Sequence, residues 1–157
     1  MSFDAPQSKV LDGSRFYLGV VAARFNADLV ESLLRQLKAT WKKHGVKAAR
    51  VDVVRVPGSH EVPVAVQLLA DKGQYDCLVA LGVLVGGDTQ HHVMVGNSVS
   101  QALLAIATAA RLPVINGVVV ADTRAQAEAR CRGPIKRGAE FALAALEMAA
   151  LRKQFKS

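Results

Sequence analysis

Cysteine is nearly absent. The 157 residues hold two, Cys77 inside an apolar run and Cys131 between Arg130 and Arg132, too few for a disulfide framework and without the spacing of a metal-ligand cluster. Aromatic residues make up only 5% and do not interleave with the basic clusters, so the stacking platforms of single-strand nucleic-acid binders are missing. No stretch approaches the roughly 20 continuous apolar residues that span a bilayer. The opening Met1-Ser-Phe-Asp-Ala-Pro-Gln-Ser-Lys9 has no apolar core behind a basic cluster, so it does not resemble a secretory signal. These absences argue against a disulfide-stapled secreted domain, a membrane span and a nucleic-acid partner, and make the cytoplasm the expected compartment. The G-x-G-x-x-G fingerprint and the Walker lysine are missing too, which argues against a generic nucleotide-binding module.

What is present is apolar and periodic. Hydrophobic residues form 51% of the chain and come in short blocks. A chain of this length buries roughly 70% of its unfolded surface as one domain, so residues 1–157 are expected to form a single domain. Strands are expected at Phe16 to Ala22, Val51 to Val56, Asp76 to Val85 and Pro113 to Val120. Between them, helices are expected at Asp28 to His44, with Leu29, Leu33, Leu37 and Trp41 as a core stripe beside Val30 and Leu34, then at about Glu61 to Asp71 and His91 to Arg111. Thr123 can cap a further helix, with Gln126 completing a capping box. The chain breaks at Gly133-Pro134 and closes in a helix to about Phe155. Strands alternating with helices predict an α/β fold, a three-layer α/β/α sandwich around a four-stranded parallel sheet. Residues 1–15 read as a loose tail or an arm that docks on a neighbour.

The net charge of +7 does not itself name a partner. Lys38, Lys42, Lys43, Lys47 and Arg50 fall mainly on a solvated helix face. Arg124, Arg130, Arg132, Lys136 and Arg137 flank a glycine after a strand and suit a phosphorylated small molecule. Cys77 reads as a small buried hydrophobe; the arginines beside Cys131 can lower its pKa, but with no histidine or aspartate partner defined in sequence a catalytic thiol is not expected.

Two segments carry the chemistry. Val56-Pro-Gly-Ser-His-Glu-Val-Pro63 and Gly82-Val-Leu-Val-Gly-Gly-Asp-Thr-Gln-His91 each end a strand with glycine and polar residues, where an open α/β sheet gathers its ligand groups. In the second, Gly86, Gly87, Asp88 and Thr89 precede a helix, so backbone N–H groups and a hydroxyl can receive an anion with His91 close by. That pattern reads as a phosphate cradle beside a proton-transfer group.

Taken with Ala23-Arg-Phe-Asn26, Pro113-Val-Ile-Asn-Gly117, Asp122-Thr123, Gln126-Ala127, Arg130 and Lys136-Arg-Gly138, these segments resemble the lumazine synthase family over nearly the whole chain. The resemblance implies a flavodoxin-like sandwich. It implies a transferase of riboflavin biosynthesis that condenses 5-amino-6-(D-ribitylamino)uracil with 3,4-dihydroxy-2-butanone 4-phosphate to 6,7-dimethyl-8-ribityllumazine, phosphate and water, with no cofactor and no metal. By the same resemblance, Phe25 stacks on the pyrimidine, and Ser59, His60 and Glu61 hold the ribityl chain. Val83, Leu84 and Val85 meet the pyrimidine, and Asn116, like Arg130, is contributed to the site by a neighbouring subunit. Gly87, Asp88 (through its backbone), Thr89, Arg130 and either Lys136 or Arg137 bind phosphate. His91 transfers protons, and His92 is expected to be structural. Further implications are homo-oligomerisation into pentamers, with an icosahedral shell of sixty in some members, and a riboflavin synthase as a partner.

The sequence departs from the family's pattern in places. Gly86 stands where an arginine is usual, removing a cation and, as expected for glycine, loosening the backbone. His60 and Asn116 replace residues that are commonly aromatic or apolar, and the segment between Arg130 and Gly138 is about one residue short. A non-catalytic flavin or lumazine binder, or a structural shell protein on the same fold, is the rival expectation.

Overall fold

A computed structural model describes residues 4, 6, 7 and 9–156. Four strands, β1 (Leu18–Ala23), β2 (Val51–Val56), β3 (Cys77–Val85) and β4 (Val114–Ala121), form one sheet of order β2-β1-β3-β4. Every pairing is parallel, with Leu18 opposite both Val51 and Cys77, and Leu78 opposite Val114. The helices are α1 (Ala27–Lys43), α2 (Val62–Ala70), α3 (His91–Ala110), α4 (Arg124–Cys131) and α5 (Arg137–Lys156). This is the three-layer sandwich expected from the alternation of apolar blocks, in the flavodoxin-like form that the resemblance implies.

Alternate strand residues face opposite sides, and each side has its own core. Leu18, Val20, Ala22, Cys77, Val79 and Leu81 pack with α1, α4 and α5, while Val21, Ala23, Leu78 and Ala80 pack with α2 and α3. The stripe Leu29, Leu33, Leu37 and Trp41 is buried, and the indole N–H of Trp41 donates to the Ala142 carbonyl of α5 at 3.0 Å. α1 and α5 approach closely at Gly138, where a Cβ would lie 2.4 Å from the Leu33 carbonyl oxygen.

Boundaries shift at element ends. Phe16 is buried but precedes the ladder, its N–H turning back to Gly13. Asn26 takes a left-handed conformation, φ 52°, and α1 starts at Ala27, one residue before the expected Asp28, and ends at Lys43. Thr123 caps α4 by accepting from the Gln126 N–H at 3.2 Å. The return bond of the box goes one residue earlier, from the Asp122 N–H to Gln126 Oε1 at 2.9 Å.

Part of the tail is tied to its own chain. His44 Nδ1 lies 3.0 Å from the Leu11 carbonyl, the Gly13 N–H donates to the His44 carbonyl, and Arg50 donates to the Arg15 carbonyl. Residues 1–3, 5 and 8 of the expected arm lie outside the described residues.

Run length alone understated α3. Its 20 residues are long and apolar enough to cross a membrane by composition, and only 17% of its most apolar window is buried. One stripe, His92, Val95, Val99 and Leu103, packs on the sheet side, whereas Met94 and Leu104 are 59% and 68% exposed. Asn97, Ser98, Ser100 and Gln101 interrupt the remainder.

Candidate active site

Parallel strands end with their carbonyls directed at one edge of the sheet, and the loops that follow collect there. At that edge β1, β3 and the starts of α2 and α3 enclose a cleft of about 460 Å³. Its walls are Phe25 and Asn26 after β1, Gly58, Ser59, His60 and Glu61 after β2, Val83, Leu84 and Val85 at the end of β3, then Gly87, Thr89, His91, His92 and Val95. Ten of the residues expected from sequence therefore share one cavity. Asp88 is exposed and does not line it.

Phe25 is 71% exposed, so it is not a core aromatic. Its ring lies over Gly58, where a Cβ would come within 3.1 Å of it. The chain is held in this position because the Arg24 and Phe25 N–H groups both donate to Pro57. Glu61 is oriented by its own turn, Oε2 accepting from the Gly58 N–H at 2.9 Å, which leaves Oε1 for a hydroxyl donor. Ser59 is buried with its hydroxyl packed against Gly82.

The turn after β3 is open. Among the described residues, no backbone–backbone hydrogen bond engages the N–H groups of Gly87, Asp88 or Thr89, and no atom lies within 4 Å of the position of a Cβ at Gly87. Thr89 Oγ1 accepts from the His91 N–H at 3.4 Å, leaving its hydroxyl proton to donate. Free N–H groups, a hydroxyl and the positive end of a 20-residue helix together favour an anion. His91 is exposed on the first turn of that helix.

Gly86 is not the loosened point expected of a glycine. Its N–H donates to the Ala121 carbonyl at 2.8 Å. A Cβ there would lie 2.4 Å from the Asp122 carbonyl oxygen. The turn is thus clamped to the end of β4, and glycine is required by close approach rather than by a left-handed φ.

Asn116, Arg130, Lys136 and Arg137 do not line the cleft. Asn116 is exposed on the edge strand β4, its Oδ1 accepting from the Val118 N–H. α4, which carries Arg130, packs on the opposite side of the sheet from α2 and α3. Within the basic cluster, Arg124 and Arg132 pair with Asp28, and Arg137 pairs with Glu140. Partial desolvation raises the Asp28 pKa, but the hydrogen bond and charge of Arg124 and the charge of Arg132 outweigh it and hold the carboxyl below its usual range. Arg130 and Lys136 have no carboxylate partner among the described residues; Arg130 donates to the Gln126 carbonyl. Lys136 sits at φ 48° before α5, in a short loop that Gln36 fastens by donating to the Cys131 carbonyl and accepting from the Gly138 N–H.

The lowering that its arginines can give the Cys131 pKa is not realised. Burial pushes its thiol up to about 11, against the weaker opposite pull of Arg132, Arg124 and Arg130, so it is no nucleophile at neutral pH. Cys77 is shifted upward as well by burial. Among the described residues no group of three or more His, Cys, Asp or Glu side chains is placed to hold a metal ion.

Sequence reasoning assigned no site role to Asn26, Gly58 or Gln36. Asn26 Nδ2 donates to the Val83 carbonyl at 2.8 Å, joining β1 to β3 across the cleft. The signal was an asparagine at a strand end, a residue type tolerant of the left-handed region.

Comparison with known proteins bears on what such a cleft does. The family model described as 6,7-dimethyl-8-ribityllumazine synthase matches residues 15–153. A protein of that name from Cupriavidus metallidurans is 41% identical over 141 residues, covering 90% of this chain and 82% of the relative. Those from Thermococcus onnurineus and Nitrosomonas europaea are 40% and 38% identical, again over 90% of this chain, and over 92% and 84% of theirs.

Proposed function

The chain belongs to the 6,7-dimethyl-8-ribityllumazine synthase family, and from that premise we propose how its cleft carries out the family's reaction. The activity is the condensation of 5-amino-6-(D-ribitylamino)uracil with 3,4-dihydroxy-2-butanone 4-phosphate in riboflavin biosynthesis, a transferase reaction. The observation that carries the reading is the single cleft joining an exposed aromatic, a half-free carboxylate, an open anion turn and a histidine.

Phe25 stacks on the pyrimidine, while backbone groups of Val83, Leu84 and Val85 meet its edge. Ser59, His60 and Oε1 of Glu61 take the ribityl hydroxyls. The turn of Gly87, Asp88 and Thr89 receives the phosphate through backbone N–H groups and the Thr89 hydroxyl. The amine attacks the ketone to form an imine with loss of one water, phosphate leaves, and ring closure expels a second water. His91 moves the protons, a role suited to an imidazole at neutral pH. Holding two substrates together supplies much of the remaining acceleration.

Arg130 and Asn116 serve a neighbouring copy's cleft, which their distance from their own cleft supports. Lys136 rather than Arg137 is the second phosphate cation, because Arg137 is already paired with Glu140. The assembly is a pentamer whose contacts include the exposed apolar residues of α3. The single domain acts in the cytoplasm.

The test is turnover of both substrates, followed by lumazine absorbance or fluorescence against a protein-free blank. Substituting His91→Ala is expected to slow turnover by about ten- to a thousandfold with assembly intact. An unchanged rate removes His91 from the chemistry, and wild-type protein no faster than the blank favours a binder.

A further inference from the structure

His92 lines the cleft beside His91 but is 7% exposed. Its Nε2 lies 3.3 Å from Asp122 Oδ1, and its Nδ1 is buried with no hydrogen-bond partner among the described residues. One tether therefore orients the ring. A carboxylate acceptor at Nε2 selects the tautomer with the proton on Nε2, leaving Nδ1 a lone pair.

Asp122 is a junction. Its backbone carbonyl presses on Gly86 of the phosphate turn, its N–H donates to Gln126 of α4, and its carboxylate meets α3 through His92. The three segments it joins form the phosphate end of the cleft or lead to Arg130. The carboxylate itself is 79% exposed, so changing it leaves the two backbone contacts and the core undisturbed.

We propose that Asp122 is a positioning residue for the condensation: through His92 Nε2 it fixes the first turn of α3, and with it His91 and the anion turn. The inference rests on the assignment of that turn to phosphate. Without the acceptor the imidazole keeps no hydrogen bond and the buried ring is free to turn, loosening the first turn on which His91 stands. The aspartate's negative charge works in the opposite direction, since it lies on the phosphate side of the cleft. Charge and acceptor can therefore be separated by substitution.

Asp122→Asn removes the charge and keeps an acceptor oxygen; Asp122→Ala removes both. The measurements are the affinity of the assembled protein for inorganic phosphate, KM for each substrate, kcat and thermal stability. The expected result is phosphate affinity and kcat about tenfold lower in Asp122→Ala, the scale of one lost hydrogen bond. KM for the pyrimidine should stay unchanged, and Asp122→Asn should bind phosphate as well as wild type or better. Equal loss in both variants would assign the effect to charge and overturn the proposal. So would wild-type behaviour in Asp122→Ala, or a lowered melting temperature with both substrates weakened alike. Wild-type protein that neither turns over nor binds phosphate would instead refute the assignment of the cleft, and the proposal with it.

Discussion

Substituting Gly86→Ala adds a single methyl group, and the structure leaves it no room. The new Cβ would sit 2.4 Å from the Asp122 carbonyl oxygen, 3.0 Å from its carbon and 3.1 Å from its Cα, all backbone atoms that no rotamer change can move. Relief requires the turn to lift from the end of β4 by about 1 Å, which breaks the bond from the Gly86 N–H to Ala121. Overpacking costs about 1–3 kcal/mol and the lost bond about 1 kcal/mol. A total of about 2–4 kcal/mol lowers the melting temperature of a chain of this size by roughly 5–12 °C, read by calorimetry at fixed protein concentration because assembly adds to stability. The same lift displaces Gly87 and Thr89, so KM for the butanone phosphate should rise several-fold. Restoring the arginine suggested by family resemblance, Gly86→Arg, should weaken phosphate binding despite the added cation. A Gly86→Ala protein with wild-type melting temperature and KM, or a Gly86→Arg protein that gains affinity, would refute the close-approach reasoning.

Two further outcomes are expected. Lys136→Ala should raise KM for the butanone phosphate, while Arg137→Ala should chiefly lower stability, by about 1 kcal/mol or less for a partly exposed pair; steady-state kinetics beside thermal melts separates them, and the reverse pattern would exchange their roles. Tyr75 is 1% exposed, and burial together with its hydrogen bond to Asp52 pushes its pKa up to about 12. The folded state therefore keeps a proton that the unfolded chain releases near pH 10, and a contribution of roughly 2–3 kcal/mol is full below that pH and lost as it rises toward the folded value. Tyr75→Phe should lose less stability than wild type between pH 10 and 12, and an identical alkaline profile would show that another group governs it.

The sheet and its helices were legible because each block repeats with a single period: Leu29, Leu33, Leu37 and Trp41 read as a buried stripe and are one. Element ends were less so, since Asn26 is placed by its left-handed backbone and its bond to Val83, and Phe16 by a turn back to Gly13, none of which periodicity encodes. Phe25, Glu61, Thr89 and His91 line one cleft because residues that end neighbouring parallel strands meet at one edge; the pattern before α3 pointed to Thr89 and His91, whereas Phe25 and Glu61 were singled out through family resemblance. The fixing of Gly86 was invisible, as its cause lies in the backbone of Asp122, which gives no signal in residue type. The pKa of Cys131 was not legible for a related reason: the flanking arginines are visible in sequence, whereas the burial that overrides them is tertiary.

The separation of Arg130 from the cleft of its own chain has a consequence for inheritance as much as for structure. A ring that shares sites between neighbours contains donors and recipients, and a chain crippled in one capacity keeps the other. In the ring proposed above, a His91→Ala chain would still lend its arginine, and an Arg130→Ala chain would still offer a sound cleft. Coassembled in equal amounts in random order, two inactive proteins would restore about a quarter of the sites in a head-to-tail ring. Two damaged copies of the gene in one cell would then support growth that neither supports alone.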